Sequence, residues 1–139
     1  MRNLHLWIAA IWAVSLGTLG LFVVPMLFAH LPTPALAGNM AAKLFSVQTM
    51  VSVTCAVVLL LLLRSDKRDV GVTVAQSSTV YVLAGALLAL LVELGVAPRI
   101  VARDNLALWH AVGSAMYLAQ WLCACVVFGK LLGEHSTSG

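Results

Sequence analysis

Four long stretches of this chain contain no Asp, Glu, Lys or Arg: Asn3 to Ala42, Leu44 to Leu63, Val70 to Val92, and Asn105 to Gly129. Each reaches the roughly 20 residues that an α-helix needs to cross the hydrocarbon core of a bilayer. Inside lipid every backbone N–H and C=O must find its partner within the protein, so only helices and closed barrels can cross. Barrel strands alternate polar and apolar residues, whereas Val57 to Leu63 is an unbroken apolar run. The expected fold class is therefore all-α integral membrane. The expected architecture is an antiparallel four-helix transmembrane bundle with spans at about 6–29, 35–63, 77–97 and 106–130 in one domain.

Composition excludes other classes. Hydrophobic residues make up 62% of the chain and charged residues 9%, against about a quarter charged in soluble domains. The net charge of +3 does not point to nucleic acid, because the basic residues are scattered over helix ends and loops rather than gathered into a patch. The partner to expect is the lipid bilayer. The first apolar run exceeds the 7–15 residues of a signal-peptide core, so a retained span is expected there. Four spans bring both termini to one side, together with Arg2, Arg64, Lys67, Arg68 and Lys130; Arg99, Arg103 and nearby Lys43 fall on the other. Lys and Arg accumulate on the cytoplasmic side of spans. Both termini are thus expected in the cytoplasm of a bacterial inner-membrane protein.

Turns and breaks are legible as well. Pro25 lies late in the first span and should bend it. Pro32 and Pro34 mark the turn into the second span. The charge cluster Arg64 to Asp69 reads as a solvated loop, and the tail from Glu134 onward as a loose polar end. No internal sequence repeat and no extramembrane domain is evident. Cys55, Cys123 and Cys125 sit in apolar runs without metal or redox spacing, so they read as small packing residues.

The fourth span carries the most telling pattern. His110, Ser114, Tyr117 and Trp121 stand at i, i+4, i+7 and i+11, which puts them on one helical stripe. Hydrocarbon offers these groups no hydrogen-bond partner, so the stripe should face other helices or a small wet cavity. The antiparallel order also gathers His30, Lys43, Gln48, Glu93, His110 and Ser114 toward the outer end of the bundle. Glu93 continues the stripe of Tyr81, Gly85 and Ala89, the face that should meet another helix. A carboxylate inside a span is costly and has either a partner or a function. Its bland reading is an ion pair with Lys43 or a hydrogen bond to His110 or Gln48. The four tryptophans read mostly as interface anchors, with Trp7 and Trp109 fitting best.

No phosphate loop, Gly-x-Ser-x-Gly, His-Glu-x-x-His or Arg-rich span is present, so a binding or transport role is expected before an enzymatic one. Three functional readings stand open. In the first, the protein handles or transports a small solute or cation through an outer-side polar pocket. Glu93 and His110 would bind the proton or cation, with Lys43, Gln48, Ser114 and Tyr117 as pocket lining. In the second, His110 with His30 or Met26 holds haem or copper; His30 follows Met26 by one helical turn. In the third, the chain is an accessory subunit whose polar contacts only hold helices together. Four spans barely enclose a cavity, so a homo-oligomer or a membrane-complex partner is expected. No cofactor is required by any motif.

Several of these residues also carry a family resemblance. The chain resembles the small four-helix membrane family related to transmembrane protein 205. The matching pieces are Leu21 to Phe28 with Pro25, Ala37-Gly38 with Phe45 behind it, Pro98, and Trp109-His110 to Ser114, with Ala111 where that family has glycine. The resemblance implies a four-helix bundle in a bacterial inner membrane and no assigned activity. In shape and in its membrane histidines the chain is also distantly similar to copper-resistance membrane proteins and to the small membrane protoporphyrinogen oxidase.

Overall fold

A computed structural model describes residues 3–65 and 71–137. The loop expected at Arg64 to Asp69 lies outside the described residues from position 66 onward. The described residues contain helices and no strand. They form four units long and apolar enough to cross a membrane: Leu4–His30, Pro34–Ser65, Val72–Val101 and Leu106–Ser136. Each span packs against two others, in the ring order one, two, three, four and back to one.

Spans one and three are interrupted; spans two and four are not. The first comprises α1 (Leu4–Thr18), a π-helical turn at Leu19–Val23, and α2 (Val24–His30). The second is the unbroken α3 (Pro34–Ser65). The third comprises α4 (Val72–Leu91), a π turn at Val92–Val96, and α5 (Ala97–Val101). The fourth is α6 (Leu106–Thr137). Pro25 and Pro98 follow the two π turns at the same spacing. A proline ring clashes with the carbonyl four residues back and offers it no N–H. Each span accommodates this by widening the turn ahead of the proline, so that Val24 N–H bonds to Leu19 O and Ala97 N–H to Val92 O. The bend expected at Pro25 thus takes the form of a π bulge.

The helix ends have local causes. Thr33 caps the second span: its Oγ1 accepts from the Leu36 N–H at 3.3 Å, and Pro34 takes the first helical position. Gly71 precedes α4 with φ of 74°, a conformation that glycine reaches without strain. The third span therefore begins at Val72 rather than near Ser77. The last helix runs through the expected loose tail as far as Thr137. There His135 Nε2 lies 3.0 Å from Asn3 Oδ1 of the first span.

The two ends of the bundle are packed differently. Around the end that carries Asn3 and His135 the core is dense, built on Trp12, Leu16, Leu59, Leu63, Val82, Val127 and Leu131, all essentially sealed. Trp12 is not an interface anchor: it lies in that core over Gly85. Toward the opposite end, where residues 31–33 and 102–105 turn the chain, the bundle is hollow.

The halves of the chain repeat one another in form. The same offset carries Leu19–Val23 onto Val92–Val96 and Pro25 onto Pro98. Spans two and four are both single helices of 32 residues. Aligning their first residues pairs Gly38 with His110, Ala42 with Ser114, Phe45 with Tyr117 and Gln48 with Gln120.

Candidate functional site

The hollow end encloses a cavity of about 420 Å³. All four spans reach it. From the first come Leu16, Gly17, Gly20 and Leu21; from the second Gly38, Ala41, Ala42 and Phe45; from the third Val92, Glu93 and Val96; from the fourth His110, Gly113, Ser114, Tyr117 and Trp121. Two local features make the room. Gly38, Ala41 and Ala42 put little bulk into the space, and nothing lies within 4 Å of where a Cβ on Gly38 would be. Both π turns lie in its wall, and their wider backbone loops change which side chains face inward.

The aromatic groups are held rigidly. Tyr117 OH donates to the Leu16 carbonyl at 2.9 Å, and its ring meets Phe45 edge-on with centroids 5.1 Å apart. Trp121 Nε1 donates to the Ala13 carbonyl at 3.1 Å. Gly17 and Gly20 permit both contacts: a Cβ on Gly20 would stand 2.8 Å from the Tyr117 ring, and one on Gly17 3.1 Å from Trp121 Nε1. These pairings run Asn3 to His135, Ala13 to Trp121 and Gly20 to Tyr117, so numbers fall along the fourth span as they rise along the first.

Glu93 is half-buried in the second π turn, and its Oε1 accepts from Ser46 Oγ at 2.8 Å. No ion pair joins it to Lys43, and neither His110 nor Gln48 is its hydrogen-bond partner among the described residues. Arg99, on the same span, is engaged elsewhere: its guanidinium lies 4.4 Å from the Trp109 ring centroid and donates to the Gly95 carbonyl at 2.6 Å. The carboxylate therefore lines the cavity with a neutral hydroxyl as its one side-chain partner among the described residues.

Other sequence candidates lie elsewhere. Gln48 is buried, but outside the cavity wall, where it donates to Ser15 Oγ at 3.0 Å and ties the first two spans together. Lys43 is exposed, and so are His30 and Met26; none lines the cavity. His30 Nδ1 lies 3.0 Å from the Met26 carbonyl, a bond within its own helix in which the ring N–H donates. Among the described residues no three His, Cys, Asp or Glu side chains come together. Sequence reasoning singled out neither Ser46 as the partner of Glu93 nor the wall glycines as neighbours of the cavity.

Residues 7–107 match a family model described as a domain of unknown function, DUF4149. The chain belongs to this family. No curated protein and no solved structure matches the chain. The match to the DUF4149 domain takes in both π turns, both prolines and Glu93, and it ends just before the stripe from His110 to Trp121.

Proposed function

We propose that this DUF4149 protein is a membrane solute-handling protein that takes up a small solute in the hollow end of its bundle and carries it in transport. Glu93 contacts the solute, with His110, Ser114 and Tyr117 beside it. The observation that carries this reading is the Glu93 carboxylate, lining an apolar cavity with no cation paired to it among the described residues. A carboxylate kept at such a place in a membrane is costly unless it serves something that arrives there. Gly38, which has open space where its Cβ would be, and the two π turns support the same reading, because each weakens a helix at the cavity wall.

This reading includes the antiparallel order of the spans, both termini in the cytoplasm of a bacterial inner membrane, and the cavity on the outer side. It also includes kinship with the family of transmembrane protein 205.

The test is a thermal-shift panel of neutral, anionic and cationic small solutes on purified protein in nanodiscs, run beside Gly38→Leu. Gly38 lines the cavity, and nothing lies within 4 Å of where its Cβ would be, so a leucine side chain can start there unobstructed and extend into the space. Panel members that stabilise the wild type should lose that effect in Gly38→Leu. Those members should then cross proteoliposomes more slowly with Glu93→Gln. A panel in which no solute distinguishes wild type from Gly38→Leu overturns the reading.

A further inference from the structure

The repeated form of the two halves shows how the cavity is made unequal. Seven matched pairs of positions line it on both sides; at four of them the second half holds the polar residue, while Val24/Ala97, Phe28/Val101 and Ala41/Gly113 are apolar in both halves. Gly20 of the first π turn corresponds to Glu93 of the second; Gly38, Ala42 and Phe45 correspond to His110, Ser114 and Tyr117. A symmetric frame thus carries one wall of glycine, alanine and phenylalanine and one wall with a carboxylate, an imidazole and two hydroxyls. Such a cavity suits a molecule with an apolar body against spans one and two and a polar head against spans three and four.

The charge of the head follows from what surrounds it. Glu93 has Ser46 as its hydrogen-bond partner and no Lys or Arg paired to it among the described residues. Four aromatic rings, Phe28, Phe45, Tyr117 and Trp121, line the same space. A carboxylate in a cavity lined by aromatic rings attracts an organic cation by charge, and any ring face open to the cavity adds cation–π contact. An anionic head would meet the carboxylate, and a neutral one would leave it uncompensated.

The route of entry fits the same class. Leu21 of the first span and Leu118 of the fourth line the cavity, yet they are 57% and 51% exposed. His110 and Ser114, on the same face of the fourth span, are exposed as well. Beyond the Gly20–Tyr117 contact, the cavity therefore opens sideways beside these exposed residues of spans one and four, on the side of the acyl chains, where an amphipathic molecule concentrates.

We infer that the cavity binds an amphipathic organic monocation, an alkylated amine or ammonium, which enters from the bilayer between the first and fourth spans. The cationic head rests at Glu93 and the apolar body against Gly20, Gly38 and Ala42. This inference rests on the solute-handling reading and names its solute class.

The experiment is equilibrium dialysis of radiolabelled octyltrimethylammonium, tetramethylammonium, octanol and octanesulfonate against protein in nanodiscs, with empty nanodiscs as blank. Octyltrimethylammonium is expected to bind at least about tenfold more tightly than each of the others. Glu93→Gln should weaken it by about tenfold or more while leaving octanol binding unchanged. Ala42→Lys keeps Glu93 in place and supplies the cavity with a cation of its own, so it should abolish binding of the ammonium even if Glu93→Gln fails to fold. Octanol or octanesulfonate binding as tightly as the ammonium overturns the inference but keeps the solute-handling reading, provided that Gly38→Leu blocks them. An ammonium affinity that survives both charge variants also overturns it. If none of the four binds above the blank, the inference fails. The broader panel with Gly38→Leu then decides the solute-handling reading separately.

Discussion

Gly20 lies so close beneath Tyr117 that a Cβ on it would stand 2.8 Å from the ring, whose hydroxyl is held by the Leu16 carbonyl. The ring cannot move aside without breaking that bond and its edge contact with Phe45. Gly20→Leu is therefore expected to lower stability by about 1–3 kcal/mol through overpacking. Gly38 is also helical and lines the same cavity, but it has open space around it. Gly38→Leu should leave stability unchanged or raise it by up to about 1 kcal/mol, the helix-propensity difference. Thermal midpoints of the two variants in one detergent check the contrast, and equal midpoints would refute it.

Of the described glycines, Gly85 leaves the least room for a Cβ, because Trp12 lies against it. A Cβ on Gly85 would lie 2.7 Å from Cη2 and 2.9 Å from Cζ2 of a tryptophan with no exposed surface. Gly85→Ala should cost about 1–3 kcal/mol despite alanine's better helix propensity. Trp12 Nε1 has no hydrogen-bond partner among the described residues, so Trp12→Phe removes the clash without breaking a hydrogen bond. The double variant should be clearly more stable than the two single losses predict when summed. A double-mutant cycle reads this directly, and strict additivity is the unfavourable outcome.

Near the middle of the bundle, Gln120 Nε2 donates to Ser52 Oγ at 2.9 Å, with both residues buried. Ser52→Ala strands an amide donor in an apolar setting and should cost about 1–3 kcal/mol. Adding Gln120→Leu removes the stranded group and should recover much of that loss. Unfolding titrations of the single and double variants test this; a double variant weaker than Ser52→Ala alone would count against it.

Ser46 and Glu93 offer a milder case. Their hydrogen bond is 2.8 Å long and half-exposed, so Ser46→Ala should cost no more than about 1 kcal/mol. Because serine does not set the cavity's charge, the variant should keep the preference for cationic over anionic solutes. Competition dialysis would show the contrary if Ser46→Ala and Glu93→Gln lost that preference alike.

Much of the fold was legible because lipid imposes a strict rule on sequence. A charge-free run of some 20 residues has few alternatives to a membrane helix, so the number, class and approximate limits of the spans follow from composition. The stripe from His110 to Trp121 was legible for the same reason: acyl chains offer polar groups at helical spacing no partner, and all four line the cavity, His110 and Ser114 at its exposed rim. Pro25 announced a bend, but the widened turn that answers it depends on how backbone hydrogen bonds rearrange, and neither π bulge is written as a motif.

Tertiary structure decided which polar residues share a site. Lys43, Gln48 and Glu93 fall at similar depth by residue count, yet Lys43 points away, Gln48 turns to Ser15, and Glu93 takes Ser46. Depth along a span is a one-dimensional quantity that a sequence carries. Azimuth, shifted further by each π turn, is set only when four helices pack. The likeness of the two halves was hidden for a related reason. It lies in breaks, lengths and wall positions, while the residues at those positions diverged into an apolar wall and a polar one.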